Sequence, residues 1–210
     1  AGGGKINGGG NTNTVLATKL SGEAGNTLTL GVETGTVLVL SNTSNSYLGE
    51  TAITANAGST GIVRLGLAGV IPDAGGTVTV GTNTTLDVNG VSETIGGLAG
   101  TGTVNSSSGA GVLAVGGNNS NSTFSGVLAN GAGTLALTKV GTGTLNLAGT
   151  ANTYSGGTKI ESGRIVISNA AALGAGDVTI QASTGGGGAN RAYLMLSNTA
   201  VTGKTLTMDS

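Results

Sequence analysis

Pairs of apolar residues two positions apart recur along the whole chain, and short segments rich in Gly, Asn, Ser and Thr separate them. Residues two apart point to the same face of a β-strand, and Gly and Asn favour turns because both tolerate positive φ. No window shows the 3.6-residue spacing of an amphipathic helix, so the pattern predicts an all-β protein. The pairs are Leu28-x-Leu30, Leu38-x-Leu40, Val63-x-Leu65, Val78-x-Val80, Leu86-x-Val88, Leu113-x-Val115, Leu135-x-Leu137, Leu145-x-Leu147, Ile165-x-Ile167, Val178-x-Ile180, Leu194-x-Leu196 and Leu206-x-Met208.

A longer repeat is superimposed on these pairs. At a shift of 107 residues, segment 28–53 matches segment 135–160, and the pairs that follow match at shifts of 102 and 100, so residues 28–80 are related to residues 135–180. The spacers shorten while the strand pairs persist, as expected of corner loops in a solenoid. Outside the pairs, the matching residues are Asn45, Tyr47, Gly49, Thr51 and Ile53 in the first copy and Asn152, Tyr154, Gly156, Thr158 and Ile160 in the second.

The aromatic content decides between a sandwich or barrel and a solenoid. A sandwich of this size needs bulky residues from two sheets, whereas aromatic residues make up 2% of this chain. Leu, Val, Ile and Ala fill the narrow interior of a parallel β-helix, whose rungs stack at about 4.8 Å. We therefore expect one continuous β-solenoid segment over residues 1–210, with about six to nine rungs and a length of roughly 30–45 Å.

The composition argues against several other classes of protein. Hydrophobic residues are 37%, mean hydropathy is +0.24 and the net charge is −1, whereas disordered chains combine low hydrophobicity with high net charge. The eight Lys and Arg residues are scattered, so we expect no nucleic-acid partner. No apolar run approaches the roughly 18 residues that span a bilayer, so we expect no membrane insertion by this segment. The absence of Cys is compatible with an oxidising compartment.

One segment carries a resemblance to a known family. Residues 141–149 read Gly-Thr-Gly-Thr-Leu-Asn-Leu-Ala-Gly, residues 152–160 read Asn-Thr-Tyr-Ser-Gly-Gly-Thr-Lys-Ile, and residues 162–167 read Ser-Gly-Arg-Ile-Val-Ile. This run resembles the autotransporter-associated β-strand repeat of autotransporter passengers. The repeat has two consecutive glycines, so Gly157 joins Gly156 among the motif residues of the second copy. Clear similarity covers residues 84–181. The first copy departs from the motif at Leu48 and Glu50, where the family has small residues.

The resemblance implies a right-handed parallel β-helix in the passenger of a Gram-negative surface or secreted protein. Members of the family serve as adhesins, stalks or scaffolds, and the repeat itself carries no catalytic residues. The chain begins without Met, and segment 204–208 begins another strand. We therefore expect a piece of a longer repeat protein whose partners are adjacent β-helix repeats or further copies placed end to end.

The sequence offers no catalytic, cofactor or metal site. His and Cys are both absent, which excludes the usual Ser-His-Asp and Cys-His arrangements and leaves only oxygen ligands, which suit zinc and copper poorly. The nine acidic residues are spread along the chain without a close pair, so we interpret them as solvated residues. The four-Gly run at 185–188 lacks the context of a phosphate-binding loop and is interpreted as a bulge.

We expect that the chain is not an enzyme. Two functions agree with this expectation, and a third, enzymatic function is kept as an alternative. The leading hypothesis is a structural rod that acts as a stalk, a scaffold or a subunit of an extracellular fibre. The second is an adhesin that binds host protein or glycan through a lateral face. Tyr47 and Tyr154 are its first candidates, although we favour a structural role at a corner because the position repeats with the motif. The third is a polysaccharide-cleaving enzyme, which needs several carboxylates in one groove.

Overall fold

The computed structural model describes residues 3–10, 13–182 and 191–209. The Gly run at 185–188 lies outside the described residues. Within these residues, the secondary structure is entirely β apart from one short 3-10 helix, Ala170–Leu173. In this described part of the chain, twenty-one short strands form three parallel sheets.

The three sheets cover different parts of the axis and are named accordingly: one is continuous, one lies toward the N-terminal end and one toward the C-terminal end. The continuous sheet contains β1 (Gly4–Gly8), β3 (Leu28–Val32), β5 (Thr51–Ala55), β7 (Thr77–Val80), β10 (Gly97–Gly100), β13 (Ser122–Phe124), β16 (Thr144–Leu147), β18 (Gly163–Ile167) and β20 (Ala192–Leu196). The N-terminal sheet contains β2 (Asn13–Leu16), β4 (Thr36–Leu40), β6 (Gly61–Leu65), β8 (Thr84–Asp87), β11 (Thr103–Asn105) and β14 (Val127–Leu128). The C-terminal sheet contains β9 (Ser92–Ile95), β12 (Ala110–Val115), β15 (Thr134–Lys139), β17 (Thr158–Ile160), β19 (Val178–Gln181) and β21 (Leu206–Asp209).

Neighbouring strands of each sheet come from successive turns of the chain. The nine strands of the continuous sheet follow one another in sequence order, so the chain makes about eight turns around one axis. The predicted all-β solenoid is therefore confirmed. Of the predicted apolar pairs, only Leu86-x-Val88 extends beyond its strand, because β8 ends at Asp87.

Inward side chains form ladders along the axis. In the continuous sheet, Leu30 pairs with Ile53, and Ile53 pairs with Val80. All three side chains are fully buried, and each contributes about 2 kcal/mol by leaving water. The core is one continuous cluster, mostly of Leu, Ile and Val, that extends from Leu30 to Val178 and also includes Phe124, Tyr154 and Ala172. This slender interior explains how a chain with so few aromatic residues has a core.

The rungs do not all have three strands. As far as the described residues show, the first three rungs lack a strand of the C-terminal sheet, the middle three have a strand in every sheet, and the last three lack a strand of the N-terminal sheet. Where the C-terminal sheet is missing, segments 41–50 and 66–76 take its place; where the N-terminal sheet is missing, segments 148–157 and 168–177 do so. The side of the solenoid that is formed by loop segments instead of strands therefore changes along the axis.

Candidate functional site

The motif residues of the two sequence copies lie at two corners that replace a strand. The first corner, residues 41–50, connects β4 of the N-terminal sheet to β5 of the continuous sheet. The second corner, residues 148–157, connects β16 of the continuous sheet to β17 of the C-terminal sheet. The two copies therefore occupy different sides of the solenoid, although their corners have the same local structure.

An asparagine in each corner bridges three successive rungs. Asn45 Oδ1 accepts a hydrogen bond from the backbone N–H of Leu20 (2.7 Å), and its Nδ2 donates to the carbonyl of Val70 (2.8 Å). Leu20 belongs to the rung before the corner and Val70 to the rung after it. The amide group has an oxygen that accepts and a nitrogen that donates, so a single side chain satisfies backbone groups on both sides.

Asn152 repeats this arrangement in the second corner. Its Oδ1 accepts from the N–H of Leu128 (2.7 Å), and its Nδ2 donates to the carbonyl of Ala172 (2.9 Å). Leu128 ends β14, the last strand of the N-terminal sheet, and its carbonyl accepts from the N–H of Thr153 (2.9 Å). The corner thereby covers a strand edge that would otherwise be open to pairing with other chains.

A tyrosine in each corner fills the core in place of the missing strand. Tyr47 Oη and Thr51 Oγ1 share a hydrogen bond of 2.9 Å, and Tyr154 Oη and Thr158 Oγ1 share one of 2.6 Å. Burial raises the pKa of both phenols. Both rings are buried, so neither offers a face to a sugar, and each threonine begins the next strand at an inward position.

The motif glycines allow the corners to approach the neighbouring rungs. A Cβ on Gly49 would overlap the backbone carbonyl of Asn26, and a Cβ on Gly156 would overlap that of Leu135. Gly157 adopts a φ of +86°, which L side chains rarely adopt. Ile53 and Ile160 follow in the next strands and are buried in the core.

Glu93 is a buried carboxylate, so the prediction that all nine acidic residues are solvated is wrong. It is 2% exposed at an inward position of β9. Its Oε2 accepts from the N–H of Gly69 (2.5 Å) and its Oε1 from the N–H of Ile71 (2.6 Å). Desolvation raises the pKa of Glu93 to about 7, although these N–H groups lower it. The carboxylate holds segment 66–76 against the first strand of the C-terminal sheet.

Lys139 is a buried cation in an apolar ladder. It pairs in register with Val115 on one side and Ile160 on the other, and it is 1% exposed. Its ammonium donates to the carbonyls of Val140 and Gly141, the latter at 3.0 Å. Burial lowers the pKa of Lys139 to about 8. The sequence signal was present, because Lys139 follows Leu137 and Glu93 precedes Ile95 at the two-residue spacing of inward positions.

Asp87 is a second carboxylate that is buried rather than solvated. Its Oδ2 lies 2.6 Å from Arg64 Nε, and its Oδ1 accepts from the N–H groups of Asn89 (2.9 Å) and Ser107 (2.8 Å). Arg64 and Asp87 are paired in register on β6 and β8. The pair links two rungs of the N-terminal sheet, and both carboxylate oxygens of Asp87 accept hydrogen bonds.

The acidic residues do not converge in a groove. Within residues 3–10, 13–182 and 191–209, no three acidic side chains lie close enough together to hold a metal ion. A shallow depression of about 490 Å³ on the C-terminal sheet is lined by small residues, with Lys159 and Asp177 as its charged members. Lys159 is already paired with Glu161 at 2.8 Å. The depression therefore holds one carboxylate, that of Asp177, whereas glycan cleavage uses a pair.

The described part of the chain is thus a parallel β-solenoid whose repeated Asn–Tyr corners replace strands. Residues 137–167 match the family model of the passenger-associated-transport-repeat. This segment makes just over one turn, from β15 to the end of β18, and contains the second corner. The chain carries this repeat, and the repeat together with the β-solenoid fits an autotransporter passenger.

The repeat family is one of surface or secreted proteins. Searches of curated proteins and of solved structures find no match to the chain. In the described residues, no helix has the length and apolar character needed to cross a membrane.

Proposed function

We propose that this chain is a structural rod of a bacterial surface or secreted autotransporter-like protein, where it acts as a stalk or scaffold without catalytic activity. The observation that carries the proposal is the uninterrupted parallel pairing of the continuous sheet. Its nine strands extend from Gly4 to Leu196, and successive strands are about 4.8 Å apart. A stack of this kind is roughly 40 Å long and holds its two ends at that distance.

The polar groups of the described rungs support a role in maintaining this stack. Asn45, Asn152 and Glu93 each bind backbone groups of another rung. The Arg64–Asp87 pair likewise joins two rungs. These groups are already occupied by the protein itself, which leaves them unavailable for chemistry on a substrate.

We propose adjacent β-helical rungs as the partners of this segment. Leu196, Leu206 and Met208 continue inward ladders of the core, since they pair with Ile167, Val178 and Ile180, yet all three are exposed. A solenoid end that exposes apolar side chains and strand edges has to be covered. Further repeats of the same polypeptide, or a second copy placed end to end, would supply that cover.

Small-angle X-ray scattering and negative-stain electron microscopy of the purified segment test the proposal. A rod gives a cross-section that stays constant while its length scales with the number of rungs. Deleting the rung formed by residues 97–115 should shorten the particle by about 5 Å without loss of β-structure. Filaments that grow with protein concentration, and that disappear in Met208→Asp, would identify end-to-end copies as the partner. A globular particle, or strands that cross as two antiparallel layers, would contradict the rod.

A further inference from the structure

The outer face of the continuous sheet changes character at its last two rungs. Along most of the axis, one outward column consists of Thr29, Ala52, Thr79, Ala99, Thr123 and Asn146. The same column then continues with Val166 and Met195. The neighbouring column contains Thr144, Arg164 and Tyr193 on successive strands. After a run of small residues from Thr29 to Thr123, large side chains therefore occupy the first column at its C-terminal end, as Lys5 does at its N-terminal end.

Tyr193 is the exposed aromatic ring of the protein. The other three rings, Tyr47, Phe124 and Tyr154, are buried in the core. Tyr193 is 42% exposed and Met195 is 45% exposed. The guanidinium of Arg164 lies 5.8 Å from the centroid of the Tyr193 ring. This cation–π contact orders the two side chains and leaves the N–H groups of the guanidinium free to bind an anion.

The positive charge at this site lacks a carboxylate partner. Of the ion pairs within the described residues, one is Arg64–Asp87 and the other is Lys159–Glu161. Arg164 joins neither pair, and Arg191, which is exposed and immediately precedes β20, joins neither as well. An aromatic ring in contact with an arginine that joins neither ion pair is therefore complementary to a ligand that combines an apolar face with negative charge.

We propose that Arg164 and Tyr193 form a lateral binding site for an acidic polysaccharide. A sugar ring would stack its C–H face on Tyr193, and its carboxylate would accept hydrogen bonds from Arg164. An extended peptide is the poorer fit for this face, because strand addition needs free backbone groups, and these lie at the edge of β20 and not on the outer face that carries Arg164 and Tyr193. A linear polymer along the axis would meet Tyr193, Arg164 and Thr144 at steps of about 4.8 Å.

Titration of the folded segment with a four-residue oligogalacturonate, followed by NMR through the ring resonances of Tyr193, tests the site. We expect saturable binding with a dissociation constant on the order of 1 mM. A neutral galactose tetrasaccharide of the same length should bind about tenfold more weakly, because it lacks the carboxylates that Arg164 would bind. The inference goes beyond the proposed rod function, and rod length measured on the same sample keeps the two outcomes separate.

Tyr193→Val and Arg164→Gln should each weaken oligogalacturonate binding by about tenfold. Thr123→Val, on the same outer face and away from the last two rungs, is the matched control and should leave binding unchanged. Far-UV circular dichroism and thermal melting check that each variant is folded, and Arg164→Lys provides a second test that keeps the charge but loses the planar donor group. The site is disproved by absence of saturable binding, by equal binding of the neutral sugar, by binding that the variants do not change, or by equal binding of tetraglutamate or of anionic phospholipid vesicles.

Discussion

Asn45 and Asn152, 107 residues apart in the sequence, make the same pair of hydrogen bonds to the rungs on either side of them. Each accepts from a leucine N–H of the preceding rung and donates to a carbonyl of the following rung. The two residues lie on different sides of the solenoid, so the motif specifies a local corner and not a particular sheet. The corner is a transferable means of replacing a strand.

Asn152→Ala should destabilise the protein by about 2–3 kcal/mol, because it leaves the N–H of Leu128 and the carbonyl of Ala172 without partners. Asn152→Asp should cost at least as much as the alanine variant at neutral pH, since its buried carboxylate would face the carbonyls of Ala172 and Gly149, to which it cannot donate. Urea denaturation measures the difference. Asn45→Ala is the matched variant in the first corner, and a loss of less than about 0.5 kcal/mol in both corners would show that the bridges are not structural.

Tyr154→Phe should cost about 1–2 kcal/mol, because it removes the hydrogen bond to the buried hydroxyl of Thr158 while keeping the ring. Tyr154→Ala should cost about 3–5 kcal/mol, since it also leaves a cavity in the core. Thermal melting of both variants separates the two effects. Tyr193→Phe, at an exposed ring, is the control and should leave the melting temperature unchanged. Equal costs for the phenylalanine and alanine variants would contradict this division between hydrogen bond and packing.

The alternating apolar pairs predicted strands wherever both inward positions are aliphatic. They did not predict strands in which one inward position holds another residue type, as Ser122 does in β13, Gly100 in β10 and Thr51 in β5. Gly100 adopts a φ of +103°, and a Cβ there would overlap the backbone of Val80. Such residues fit the core because of their neighbours in the adjacent rungs, which local sequence does not reveal.

The sequence pattern also did not predict which of the three sheets each strand joins. A period of two shows that Leu28 and Leu135 face inward, but it does not show that Leu28 joins the continuous sheet and Leu135 the C-terminal sheet. Sheet membership depends on how each corner turns. The motif residues of the corners were identified from the repeat, whereas their partners were not. Leu20 and Val70 each lie 25 residues from Asn45, and only the stack brings them together.

Lys139 should make stability increase with pH in the alkaline range. The pKa of Lys139 in the folded protein is about 8, against an ordinary value of 10.5. A depressed pKa contributes stability that is present above pH 10.5 and is lost as the pH falls through 8, amounting to roughly 3 kcal/mol.

Lys139→Met removes the buried charge while continuing the apolar ladder, so it should be neutral or stabilising at pH 7 and should abolish this slope. Lys159→Met, at an exposed lysine, should keep it. Urea midpoints measured from pH 7 to 10.5 make the comparison, and a slope in Lys139→Met as steep as that of the wild type would contradict the assignment.

Glu93 should produce the opposite slope at acidic pH. Its pKa in the folded protein is about 7, against an ordinary value of 4.5. A raised pKa contributes stability that is fully present below pH 4.5 and is lost as the pH rises through 7, amounting to roughly 3 kcal/mol. Glu93→Gln should remove this slope because the amide does not titrate, and Glu161→Gln, at a partly exposed carboxylate, should keep it.

Hydrogen exchange locates the effect of Glu93 within the fold. The amides of Gly69 and Ile71 bind the Glu93 carboxyl group, so their protection should change between pH 5 and 8 in the wild type but not in Glu93→Gln, after correction for the intrinsic pH dependence of exchange. Amides of the second corner, such as Leu128, provide the internal reference because their partner Asn152 does not titrate. A pH-dependent change of equal size at both places would assign the slope to global unfolding rather than to the contact between Glu93 and segment 66–76.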